Sequence, residues 1–228
     1  MRSYNEFKFK YQRYAIRNLS TYVSILFAVG YLISLVMPQL FNLLVFMPRE
    51  VMHGQVWRIV TTVVYPPVGG NVFWAVLGIY VYYNMATSLE HWWGSFNFNV
   101  YFFSSVLVGE LGTLIFYLVT GFDLPFIPVY MYFSVFMAYA ITFPGAVFLL
   151  FFVLPVKAKY LAVAEAAIYL YNFITGGIFA RIYILCALIP VAVYFFVSMG
   201  GGGGNPIANI RRKLEQRKRR KEWQDQWR

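Results

Sequence analysis

Charge is what this chain has least of. Its 228 residues include 28 charged side chains, 12% of the total, where an ordinary soluble domain carries roughly 25%. Those few are pushed to the ends: 6 lie before Ser20 and 12 after Gly204, leaving 10 across the 181 residues from Ser20 to Gly200. Water does not solvate a surface so poor in charge, whereas lipid does. Soluble α/β folds, disulfide-stapled secreted scaffolds and disordered regulators are excluded together. Cysteine is nearly absent too: Cys186 stands alone in an apolar run, so no intrachain disulfide forms. Histidine is limited to His53 and His91. No metal-ligand spacing, phosphate-binding loop or dinucleotide fingerprint occurs, and no metal, cofactor or small-molecule substrate is expected.

What fills the chain instead is apolar: 60% hydrophobic residues, 21% aromatic. A spanning helix needs roughly 20 such residues. Runs of about that kind lie near 21–37, 72–89, 98–119, 129–141, 158–175 and 181–199, which predicts an all-α polytopic membrane protein with six spans. A seventh run, Ala146 to Val156, is short and bounded by Pro144-Gly145 and Pro155. Proline removes a donor and disfavours helix in the residue before it. That piece reads as an interfacial or re-entrant segment, or as an extension of the fourth span. With six spans, the side holding both termini carries 16 Lys and Arg, and the other side carries Arg49, Arg58 and Arg181. Positive charge stays inside, so both termini are expected in the cytoplasm.

Three segments result. Residues 1–19 place Tyr4, Phe7, Tyr11 and Tyr14 at helical spacing between Lys8, Lys10, Arg13 and Arg17, a pattern that suits an amphipathic helix on the cytoplasmic surface. No short apolar core with a small-residue cleavage site precedes the first span, which is expected to be retained. Residues 20–199 form the membrane domain. Residues 200–228 are a glycine linker and a tail with 9 basic and 3 acidic residues from Ile207 onward. Such a tail suits nucleic acid or a lipid surface. Inside positive charge belongs to any protein of this class, so membrane lipids are the expected partner and nucleic acid is not. The Trp92-Trp93 pair reads as an aromatic belt at the cytoplasmic interface, and Arg181, at a helix end, as a snorkelling side chain.

The segment between the first and second spans is about 33 residues, long for a connector, and contains Trp57-Arg58. The second span ends in Leu89-Glu90, followed by Gly94-Ser95-Phe96, and Leu154-Pro155-Val156-Lys157-Ala158-Lys159-Tyr160 precedes the fifth. On these residues, from about Tyr14 to Met199, the chain resembles the rhomboid and Derlin superfamily. The resemblance implies a six-helix bundle with a membrane-embedded first loop positioned by Trp57 and Arg58, and a family motif at Glu90, Gly94 and Ser95. The last stretch looks bacterial, which implies an inner membrane.

Rhomboid proteases pair a serine in a Gly-x-Ser-Gly turn of the fourth helix with a histidine in the sixth, because a hydroxyl is a poor nucleophile until a base takes its proton. Here Ser134 falls near the nucleophile's place, flanked by Phe133 and Val135 rather than glycine, and the sixth span has neither His nor Lys. The family's oxyanion donors correspond to Trp74 and Gly78. Catalytic positions are thus degenerate, and the resemblance implies a pseudoprotease that binds transmembrane segments of client proteins. Two alternatives stay open: an active intramembrane serine protease using Ser134, and a lipid scramblase or transporter using Glu110 and Glu165. Those two carboxyls lie inside the third and fifth spans, where charge is expensive and marks function by default. Their structural reading is a carboxyl facing the bundle, protonated or hydrogen-bonded.

Overall fold

Helices begin where the apolar runs begin. The computed structural model describes residues 11–67, 70–150 and 154–200. The aromatic-basic pattern at Tyr4, Phe7, Lys8 and Lys10 and the tail at 201–228 lie outside them. In chain order the elements are α1 (Leu19–Val36), α2 (Pro38–Leu44), α3 (Pro48–Met52), α4 (Arg58–Thr61), α5 (Val72–Trp93), α6 (Ser95–Thr120), α7 (Val129–Thr142), β1 (Val147–Leu150), β2 (Leu154–Lys157), α8 (Ala158–Thr175) and α9 (Ile178–Gly200). Single 3-10 turns lie at Gln12–Tyr14 and Thr62–Val64. Among the described residues, three helical stretches are long and apolar enough to cross a membrane: Gln12–Val36, Val72–Trp93 and Ser95–Thr120. Tyr132–Thr142 and Ile178–Val193 are shorter apolar helices. The protein is a mostly helical membrane protein.

Burial supports that class independently of length. Along α6, Val100, Phe103, Leu107, Leu111, Ile115 and Leu118 are exposed, while Asn99, Ser105, Glu110 and Thr113 are buried. The exposed residues recur every three or four positions, one stripe of a helix. A water-soluble helix arranges its faces the other way. With hydrocarbon outside, apolar side chains gain nothing by going inward, and polar groups must find partners within the bundle.

Helix α6 packs on α5 and α9, α5 also on α1 and α7, and α7 on α8 and α9. At the centre Phe27, Tyr82 and Tyr132 meet edge to face, with centroids 4.9, 5.0 and 5.5 Å apart. Such geometry aligns ring edges with ring faces of opposite partial charge. Gly30 lets the Thr62–Val64 turn lie directly on α1, since a Cβ there would overlap the Val64 carbonyl.

Three expectations are corrected. The alternative that the apolar stretch after Pro144-Gly145 extends the fourth span does not hold. α7 stops at Thr142, and β1 pairs antiparallel with β2, Val147 opposite Lys157 and Leu149 opposite Pro155. Pro144 blocks helix continuation, and strands of four residues leave Pro155 at a sheet edge, where its missing N–H costs no ladder bond. The Ala158 N–H donates to the Ala146 carbonyl at 2.7 Å and closes the hairpin base. Next, residues 11–18 are not a continuous amphipathic helix: after the turn at Gln12–Tyr14, Ala15 is extended and Asn18 is left-handed (φ 56°). The Asn99 amide there donates to the Ile16 carbonyl at 3.0 Å. Finally, Trp93 is buried against Tyr101 (centroids 5.3 Å) and Trp92 packs on Phe143, so the pair faces protein rather than forming a belt.

Candidate functional site

The loop after α1 folds around Arg58. This guanidinium is buried, donating from Nη1 to the carbonyls of Asn42 (2.7 Å) and Val45 (2.6 Å) and from Nε to Gln55 Oε1 (2.8 Å). Trp57, half exposed, donates from Nε1 to the Leu43 carbonyl at 3.3 Å, and Thr61 donates from Oγ1 to the Leu44 carbonyl at 2.9 Å. Four successive carbonyls at the end of α2 are thereby satisfied. A helix C-terminus leaves such acceptors open and carries partial negative charge. The cation completes the helix end, and Gln55 extends the chain of bonds to Glu50 (2.8 Å).

Glu90 does the converse at a helix start. Its carboxylate is buried and accepts from the Leu19 N–H (3.2 Å), the Ser20 N–H (3.0 Å) and the Ser20 hydroxyl (2.7 Å). These are orphan donors of the first turn of α1, where negative charge is favoured. Gly94, with φ 83°, turns the chain directly from α5 into α6, a backbone region that glycine enters without Cβ strain. The Ser95 hydroxyl also bonds Glu90. Glu90, Gly94 and Ser95 thus act as a fastening between α1, α5 and α6.

A groove of about 360 Å³ opens between α5, α7 and α8. Trp74, Gly78, Val81 and Met85 line it from α5, Tyr132, Phe133 and Phe136 from α7, and Glu165 and Tyr169 from α8. The two positions matched to oxyanion donors, Trp74 and Gly78, therefore meet Glu165 in one place. Ser134 does not join them. It is fully buried within α7, its carbonyl accepting from the Tyr101 hydroxyl at 2.8 Å, while its neighbour Phe133 forms the wall. His53 and His91 are exposed, each with Nδ1 against the carbonyl four residues earlier, and neither lines the groove.

Glu110 lies elsewhere. It is 3% exposed in the middle of α6, with Oε1 lacking a hydrogen-bond partner among the described residues. It is not on the groove, so Glu110 and Glu165 do not share a polar path there. Among the described residues no three His, Cys, Asp or Glu side chains converge on a metal-sized site. Arg181 does more than snorkel: it donates to the carbonyls of Phe173 (3.0 Å) and Ile174 (3.2 Å) and links the end of α8 to α9. Sequence reasoning missed the parts played by Tyr82, Tyr132 and Tyr169, which carry no motif and converge from three helices. No family model, no curated protein and no solved structure matches the chain.

Proposed function

We propose that the chain is a rhomboid-like, non-catalytic six-span protein whose groove between α5, α7 and α8 receives the transmembrane helix of a client. The carrying observation is the separation of groove from nucleophile: the cleft holds Trp74 and Gly78 while Ser134 is shut inside α7. A serine shut away from solvent inside a helix has no route to a scissile carbonyl. The cleft is otherwise suited to a helix, with aromatic walls and a glycine that admits close backbone approach. The helices flanking it are short, 14 residues in α7 and 18 in α8, which favours local thinning of the bilayer. Both termini lie in the cytoplasm of a bacterial inner membrane on this reading, with lipid headgroups and client helices as partners.

A benzophenone amino acid in place of Trp74 tests it in native membranes. Illumination is expected to join the chain to intact membrane proteins. Recovery of lipid adducts alone would remove the client-binding reading.

A further inference from the structure

Among the residues lining the groove, Glu165 alone bears an acidic or basic side chain. It is half-buried and has no hydrogen-bond or ion-pair partner among the described residues. Seven residues into α8, it stands about 10 Å along the helix at 1.5 Å per residue. Neighbouring Val163, Ile168 and Leu170 are turned outward. An unpaired ionised carboxyl at that depth is costly, and a cation that pairs with it removes that cost.

The walls narrow down what arrives. Tyr169 stacks on Phe133 with centroids 4.0 Å apart, and Trp74 faces the same space from α5. Aromatic faces attract cations, and most strongly where water is excluded. Across the groove Gly78 offers no side chain, so a visiting backbone can come close. Lipid ammonium groups stay at headgroup level, whereas a basic residue on a spanning helix is carried to the depth of Glu165. A Lys or Arg in a spanning helix is also expensive in lipid and gains most from a fixed countercharge.

We infer that the groove selects transmembrane helices bearing a Lys or Arg at mid-membrane depth, with Glu165 as the countercharge. The inference rests on the client-binding reading of the same groove and adds a rule of choice to it.

The test uses the full chain in phosphatidylethanolamine and phosphatidylglycerol vesicles, with a benzophenone amino acid in place of Val81. The probes are spanning Leu/Ala peptides with Lys, Leu or Glu at the centre. The Lys peptide is expected to crosslink about tenfold more than the Leu peptide, a difference of one countercharge contact. Glu165→Gln should erase that difference, and Glu165→Lys should shift preference to the Glu peptide. Equal labelling of Lys and Leu peptides, or a preference that survives Glu165→Gln, overturns charge selection while the groove remains a helix site. Failure of every peptide to crosslink overturns both.

Discussion

Glu90 and Arg58 are single residues that complete helix ends, one with negative charge at the start of α1 and one with positive charge at the end of α2. Glu90→Ala leaves two backbone N–H groups and a hydroxyl of the α1 start without their acceptor. Loss of hydrogen bonds to a charged group in a buried setting costs about 2–3 kcal/mol. Melting of the purified full chain in detergent should fall accordingly, and Glu90→Gln, which keeps one acceptor oxygen, should fall by less. An alanine variant that melts with the wild type would show that the fastening is ornamental. The spacing of Glu90 to Gly94 and Ser95 is visible in the sequence, but its partners are 70 and 71 residues away. Nothing local encodes them. The same holds for Arg58: the Trp57-Arg58 pair is visible in the sequence, yet which carbonyls the guanidinium meets depends on how α2 folds back.

Elements meet through small residues. Gly112 on α6 brings that helix against α9, and a Cβ at this position would overlap the Cys186 sulfur. Overpacking of this sort costs about 1–3 kcal/mol. Gly112→Ala should therefore lower the melting temperature, and adding Cys186→Ala should restore most of the loss, because contacting residues couple. Two losses that simply add would separate the helices at this point. Helix positions were the most legible feature of the chain, since a long apolar run has one satisfactory structure in lipid. The hairpin from Val147 to Lys157 was not legible. A short apolar run between prolines has no period to read, and strand, helix and re-entrant segment share its composition. The start of α1 was blurred for a different reason: Tyr11 and Tyr14 have helical spacing, yet the chain there makes a single turn followed by extended Ala15 and left-handed Asn18.

At the scale of the whole molecule, large apolar side chains cover the outer faces of the helices while Ser20, Glu90, Ser105, Glu110 and Thr113 are kept inside, so solvation by lipid is a property of the surface rather than of any one segment. Hydropathy made that legible from residue counts alone. The groove was legible only in part: Trp74, Gly78 and Ser134 were placed by resemblance, while Glu165 was singled out for its charge. Their sorting, three of the four residues on one wall system and Ser134 sealed away, came from packing by Tyr132, Phe133 and Tyr169. The central claim is that this groove holds a helix without cutting it. Its most direct measurement is incubation of the purified full chain in liposomes with a labelled single-pass substrate, read by electrophoresis beside the Ser134→Ala variant. The expected result is an uncut substrate with both proteins. Cleavage by the wild type that disappears with Ser134→Ala would contradict the claim.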